Sequence, residues 1–227
     1  MRSACGYRVF MINFANVSKR YPDGFEALKN VAFTIHSGEL VLVAGHSGAG
    51  KSTMLKLIAA IERPTYGNIM VSDQNVNALK KSMIPFLRRS LGLIFQDQKI
   101  LYDRNVFANV MLPLQIRGFQ NKVAAGRVRA ALDKVGLLRK ENAYPITLSG
   151  GEKQRLCIAR AVVHRPSILI ADEPTANLDV DYAQSIMEVF KSFHQVGVTV
   201  VIATHDTALL NDNRYRKLTL NQGKLVV

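Results

Sequence analysis

The chain has no tryptophan and only two cysteines, Cys5 and Cys157, among its 227 residues. Two thiols cannot build a disulfide framework, nor a zinc site on their own, so the sequence reads as that of a cytosolic protein held by an ordinary core. Long apolar runs are also missing. The longest are five residues, 40–44 and 57–61, against about 20 for a membrane-crossing helix. No span is therefore expected, and residues 1–12 offer only 9–12 as an apolar stretch, too short for a secretory signal. Acidic residues are scarce, with seventeen Asp and Glu against thirty Lys and Arg and a net charge of +13. Residues 51–140 hold sixteen of the basic and five of the acidic residues, and so carry most of the excess. Such a surface suits phosphate, nucleic acid or an anionic membrane leaflet. It also simply keeps a protein dispersed, and charge alone does not separate these readings.

What is present is ample material for a core, 48% hydrophobic residues without repeats or low-complexity stretches. The length suits one large domain, or a core carrying a subdomain. The regular pattern begins at Met11, which leaves residues 1–10 as an extension. Strand-like stretches follow at 32–35, 40–44, 68–71, 91–95, 167–171, 199–203 and 217–220, and helical periodicity at 52–61, 122–135, 152–163 and 182–196. The runs 40–44, 168–171 and 198–203 are apolar without alternation, the mark of strands buried on both faces of a parallel sheet. The expectation is an α/β core interrupted by a basic, helix-rich insertion.

Gly45, His46, Ser47, Gly48, Ala49, Gly50, Lys51 and Ser52, followed by Thr53, fit the pattern G-x-x-x-x-G-K-[ST] between an apolar strand and an amphipathic helix. The glycines let successive backbone N–H groups turn inward around a phosphate, and the following helix adds its positive end. Lys51 is placed to reach the β- and γ-phosphates of a nucleotide, and the Ser52 hydroxyl to ligate Mg²⁺. Four apolar residues, Ile168 to Ala171, then lead into Asp172 and Glu173. Asp172 at the end of a buried strand suits the same Mg²⁺, and Glu173 suits a base that polarises the attacking water.

A phosphate loop alone fits a GTPase, kinase, helicase or transport motor. Leu148-Ser149-Gly150-Gly151-Glu152-Lys153-Gln154-Arg155 resembles the signature of the ATP-binding-cassette (ABC) ATPases. Taken by themselves, Ser149, Gly150 and Gly151 also read as an ordinary helix cap. The resemblance covers nearly the whole chain from Met11. It implies an α/β P-loop NTPase core, RecA-like with antiparallel strands, plus an inserted helical subdomain. The core would take about 11–85 and 156–227 and the subdomain about 86–155. It also implies hydrolysis of ATP with Mg²⁺ in a head-to-tail homodimer, where Ser149, Gly150 and Gly151 face the nucleotide of the other copy. By the same resemblance Tyr21 matches the aromatic that stacks on adenine, though it also reads as a buried strand tyrosine. Gln96 matches the glutamine that contacts Mg²⁺ and the attacking water. Asp179, in Ala176-Asn177-Leu178-Asp179, matches the loop that communicates across the dimer, and His205 matches the switch histidine at the γ-phosphate.

Within the family, several stretches are similar to the cell-division branch. They are the phosphate loop through Thr53, Ile61-Glu62-Arg63-Pro64, Ile84-Pro85-Phe86-Leu87-Arg88-Arg89, Gly92-Leu93-Ile94-Phe95-Gln96-Asp97 and Leu101-Tyr102-Asp103-Arg104-Asn105-Val106. That similarity implies a peripheral ATPase at the cytoplasmic face of the plasma membrane, at the division site. There it moves a separate integral membrane partner, which activates cell-wall hydrolases outside, and no solute need be carried. Lipoprotein-releasing and macrolide-type exporters share much of the last stretch, but their phosphate loops more often read Ser-Gly-Ser-Gly, and His46 and Ala49 favour the division branch. Nucleic-acid-associated ABC ATPases carry a long coiled-coil insertion or two tandem cassettes, neither of which is read here, so nucleic acid is not the expected partner. Phe95, Leu101, Tyr102, Val106 and Phe107 either form a docking patch for the membrane partner or pack the subdomain. Lys80, Lys81, Arg88, Arg89 and Arg104 either face anionic lipid or are solvated.

Overall fold

In chain order, the strands are β1 (Phe10–Arg20), β2 (Glu26–His36), β3 (Leu40–Ala44), β4 (Tyr66–Val71), β5 (Gln74–Asn75), β6 (Leu91–Ile94), β7 (Ile168–Asp172), β8 (Thr199–Ala203), β9 (Arg216–Asn221) and β10 (Lys224–Val226). The helices are α1 (Lys51–Ile58), α2 (Ile84–Arg89), α3 (Val106–Ile116), α4 (Asn121–Lys134), α5 (Gly150–Val162), α6 (Val180–Gln195) and α7 (Thr207–Leu210). This computed structural model describes residues 10–176, 178 and 180–226. Of the expected extension, residues 1–9 lie outside that range, and residue 10 already opens β1.

Among the described residues the strands form two sheets. One is antiparallel, in the order β2-β1-β4-β5. The other runs β10-β9-β3-β8-β7-β6 and is parallel from β9 to β6, with β10 closing an antiparallel hairpin. Its central strands are buried along their whole length. Val41, Val43, Ile168, Ile170 and Val201 pack into one cluster with α1 and the antiparallel sheet. Leu40, Leu42, Leu169, Val200 and Ile202 pack into a second cluster with the helices α3 to α6. Water is excluded from both faces, so no polar residue is needed at alternate positions, and each such side chain contributes about 1.5–3 kcal/mol by burial. The unbroken apolar runs of the sequence have this cause.

The short helices α2 and α7 were not among the expected ones, and two larger departures concern the helical segment. Strand β6 falls inside the span expected to be helical, 86–155, yet pairs in parallel with β7 from Leu91↔Ile168 to Ile94↔Ala171. The helical segment therefore begins after Ile94, and α5 carries it to Val162. Helix α3 has no counterpart among the expected helices. It contains Pro113, and although Val106, Val110, Met111 and Leu114 form its buried face, the less buried Phe107, Ala108, Leu112 and Ile116 are also apolar, so the sequence shows no clean stripe. Asn105 caps it, accepting from the Ala108 N–H at 2.8 Å. Asn109, fully buried, accepts from the Leu101 N–H at 3.0 Å and donates to the carbonyls of Leu101, Arg104 and Asn105 at 2.9–3.0 Å. A satisfied buried amide of this kind clamps the loop that follows β6.

Candidate functional site

The site lies at the carboxyl ends of the parallel strands, where open α/β sheets gather their ligands. Strand β3 delivers the chain to Gly45, and the loop closes at Gly50, the N-cap of α1, with φ of 148° and 106° at the two glycines. A Cβ at Gly45 would stand 2.5 Å from the Leu220 carbonyl oxygen, and one at Gly50 2.5 Å from that of Ala27. Only glycine fits either position. Gly50 has no side chain to cap α1, so the first-turn N–H groups are left to the loop, an anion-binding arrangement.

Lys51 is 7% exposed. Its ammonium donates to the carbonyls of Gly45 at 2.7 Å and His46 at 3.2 Å, and stands 3.4 Å from Glu173 Oε1. Strand β7, beside β8 in the sheet, ends in Asp172, which is 5% exposed with an Oδ1 that has no hydrogen-bond partner. Burial pushes this carboxyl above the usual carboxylate range, and a hydrogen bond with Ser52 opposes the shift. Glu173 follows in the left-handed region, φ 50°, with its N–H donating to the Ala203 carbonyl at 2.9 Å. That conformation is sparsely populated by non-glycine residues. Here it accompanies a carboxylate set between two cationic or polar partners, because Oε2 lies 2.8 Å from His205 Nδ1 just past the end of β8. Gln96, after β6, completes a cleft of about 490 Å³ that includes His46, Ser47, Gly48, Ser52 and Thr53. The ends of β3, β6, β7 and β8 thus bring Lys51, Gln96, Glu173 and His205 to one place from four parts of the chain. The Ser52 hydroxyl and the orphaned Asp172 oxygen are hard donors, and Mg²⁺ fits that set.

The adenine-stacking candidate is placed differently from the rest. Tyr21, half-buried in the turn after β1, has its hydroxyl 3.3 Å from Thr53 Oγ1 and the Lys19 ammonium 4.9 Å over its ring. The aromatic that lines the cleft is Phe25, 54% exposed. Ser149, Gly150 and Gly151 stand apart from the cleft, at the N-terminus of α5. Ser149 and Gly150 are exposed. Ser149 forms a capping box, its side chain accepting from the Glu152 N–H at 3.3 Å while Glu152 accepts from the Ser149 N–H at 3.0 Å. A Lys140 hydrogen bond, then the one from Ser149, holds the Glu152 carboxyl below its ordinary pKa. Gly151 faces Leu178 and Tyr182, either of which would lie 3.7 Å from a Cβ there. Asn177 and Asp179 lie outside the described residues.

The model of the ABC transporter family matches residues 28–176, from β2 past the phosphate loop and the helix cap at Ser149 to Asp172 and Glu173. The chain belongs to the ABC transporter family. It is 53% identical over 215 residues to the cell division ATP-binding protein FtsE of Escherichia coli (strain K12), covering 95% of this chain and 97% of that protein. To the protein of the same name in Bacillus subtilis (strain 168) it is 43% identical over 216 residues, 95% of each. Its structure superposes with a TM-score of 0.88, at 34% identity and over 96% of this chain and 97% of the other, on the ATP-binding cassette MJ0796 in a dimeric post-hydrolysis state bound to ADP and Pi. The cassette is an ATPase with the P-loop α/β fold of that family.

Some residues of this ATPase site were not legible in the sequence. Phe25 sits in a turn, where a single aromatic has no periodic signal. Asn109 lies in the unforeseen α3, and only the buried position reveals its hold on residues 101–105. The helix cap at Ser149 was read from the sequence, and the structure adds Glu152 as its reciprocal partner.

Proposed function

We propose that this cassette binds Mg²⁺–ATP in the cleft between Gly45 and His205 and hydrolyses it as a head-to-tail homodimer. The observation that carries the reading is the contrast between its two phosphate-binding devices. One is built into a cleft with a lysine and three acid–base side chains, and the other is exposed and lies away from it. The backbone of Gly45, His46, Ser47, Gly48, Ala49 and Gly50 and the Lys51 ammonium would cradle the phosphates, with Thr53 and Tyr21 on the nucleoside side. Ser52, Gln96 and Asp172 would hold Mg²⁺, which when bound neutralises charge on the phosphate oxygens. Glu173 would orient and deprotonate the attacking water, and His205, hydrogen-bonded to it, would hold that carboxylate in place and touch the γ-phosphate. Ser149, Gly150 and Gly151 would close over the nucleotide of the other copy, with Asp179 beside them.

The mechanical output is read as bacterial cell division. Identity of 53% across nearly the whole chain to a division protein supports this, as do His46 and Ala49 in the phosphate loop. The partner would be an integral membrane protein resembling FtsX, with other division proteins around it, and the cassette would lie at the cytoplasmic face of the inner membrane. No helix among the described residues is long and apolar enough to cross a membrane, so such a partner would be a separate chain. Of the residues expected to dock it, Val106 is fully buried and Phe95 and Phe107 pack against the cores, while Tyr102 is 53% exposed. The Val106 N–H bonds the Ala143 carbonyl at 2.9 Å, which sets the exposed Tyr144 and Ile146 on the neighbouring loop. Tyr102, Tyr144 and Ile146 are the better docking candidates. The helical segment after Ile94, α3 to α5, would be the subdomain that moves.

The shared site is tested by mixing two inactive variants, Lys51→Ala and Ser149→Arg. In the mixed dimer one site regains an intact lysine from one chain and an intact serine from the other, so turnover should reappear. A mixture as inactive as its parts overturns the shared site. Co-purification from membranes tests the output. A partner with a translocation pathway or a substrate-binding domain would make this an exporter motor instead.

A further inference from the structure

Far from the cleft, α4 and the C-terminal end of α5 border a second concavity of about 490 Å³. Its floor is apolar and recessed, since Ala131, Val162 and Val163 are 9%, 4% and 4% exposed. Its rim is cationic, with Lys122, Arg127 and Lys134 from α4 and Arg165 just past α5. No carboxylate lines it, and among the described residues none of these four cations has one within ion-pair distance. Two are instead held over rings, Arg127 over Phe119 at 4.6 Å and Lys134 over Phe193 at 5.1 Å. Some exposed cations elsewhere on the helical segment have acidic partners, as Arg129 has Glu141 and Lys140 has Glu152, whereas Arg117 and Arg139 have none among the described residues; what sets the four apart is that they surround one apolar floor.

The geometry points to this groove as a docking site for an acidic amphipathic helix of a partner protein. Three arguments select that occupant. Charge complementarity calls for an anionic ligand, because four cations ring an apolar floor and no carboxylate among the described residues pairs with them. The recessed floor demands a ridge that can enter it. A planar lipid surface would touch the rim cations but not Ala131 or Val162, whereas the apolar stripe of a helix fills such a groove. The third argument is Gly126, which stands exposed in the middle of α4 with no atom within 4 Å of a would-be Cβ. The fold of this chain does not require glycine there, and alanine would favour the helix. A glycine at that point leaves room for another backbone to approach closely. From Lys122 to Lys134 the groove runs about 18 Å along α4, three turns of a docked helix.

The experiment uses the full chain and labelled synthetic helical peptides of about 14 residues, matched to α4 in length. Each has a leucine stripe flanked by glutamates, with a lysine-for-glutamate series as control, and binding is read by fluorescence anisotropy. The acidic series should bind with a Kd in the micromolar range and weaken as salt rises, and the basic series should not bind. Lys134→Glu should weaken binding about tenfold or more by replacing attraction with repulsion. Gly126→Leu should abolish binding while leaving the thermal midpoint unchanged or raised and ATP turnover unchanged, since the residue touches neither the core nor the ATP cleft. Failure of every acidic peptide to bind the unaltered chain overturns the proposal. So does equal binding of both series, or by Gly126→Leu. Vesicles of anionic and zwitterionic phospholipid form the last arm. Binding to anionic vesicles that Gly126→Leu leaves intact and Lys134→Glu removes, without peptide binding, would assign the face to lipid instead. All these readouts are independent of whether the ATP site is shared between two chains.

Discussion

The two glycine-bearing helix starts of this cassette, at α1 and at α5, present the same local chemistry in opposite surroundings. At α1 the loop is concave. Gly45 and Gly50 are pressed against the carbonyls of Leu220 and Ala27, the cap has no side chain, and buried Lys51 and Asp172 flank it. At α5 the start is exposed, Ser149 caps its own helix, and Glu152 returns the hydrogen bond. A helix N-terminus is thus only half of a phosphate site. At the first, the neighbouring strands β7 and β8 bring the buried Asp172 and then Glu173 and His205 beside the loop. The cleft that Lys51, Gln96, Glu173 and His205 line includes no residue of the second.

The largest expected effect comes from removing what distinguishes the α1 site. Glu173→Gln should lower ATP turnover by about a thousandfold, within the usual range for a lost general base, while retaining nucleotide and accumulating dimer. Turnover and light scattering with ATP check it, and a variant that stays monomeric at saturating ATP breaks the comparison. Next in size is a pair that separates the two devices. Ser149→Arg should lower turnover about a hundredfold with the ATP affinity of the single chain unchanged, and Lys51→Ala should weaken that affinity about thirtyfold, as expected for a lost charged hydrogen-bond partner. Equilibrium binding of a fluorescent ATP analogue reads both. Equal loss of affinity in the two variants would mean that the devices serve one chain.

A smaller effect concerns Asp172. Its raised pKa means that ionisation of the buried carboxyl opposes folding at neutral pH, so Asp172→Asn should stabilise the nucleotide-free chain by about 1 kcal/mol. The same change should lose the extra stability that Mg²⁺–ATP confers. Urea unfolding with and without Mg²⁺–ATP checks both signs. The smallest effect is at α5, where Glu152→Ala should cost about 0.5–1 kcal/mol by opening the capping box. The Glu152 pKa is lowered in the fold, so its contribution is present above the unfolded value and fades as pH falls through the folded one. A thermal-melt series below pH 5 should show a shallower loss in the variant. An equal loss would mean that the cap is not held by charge.

Much of the site was legible because its signals are local. The loop from Gly45 to Ser52, the apolar run into Asp172 and Glu173, and the helix cap at Ser149 each need only a few consecutive residues, and the parallel sheet was readable from runs without alternation. Helix α3 was not legible, because Pro113 and apolar residues outside its buried face, such as Phe107, Leu112 and Ile116, hid the period. Strand β6 was readable as a strand, but four residues do not say which sheet they join, so the boundary of the helical segment was misplaced at 86. Phe25 and Asn109 had no pattern to announce them.

The amino-acid order by itself determined which groups this ATPase possesses, since glycine at a left-handed turn and an acid after four apolar residues follow from backbone and solvation constraints that act within one segment. Only the tertiary structure decided which of them meet. Lys51, Glu173 and His205 are more than thirty residues apart pairwise along the chain, and they converge because β3, β7 and β8 hydrogen-bond side by side. The unpaired cations around Gly126 form a groove for the same reason, since α4 and α5 pack against a common core.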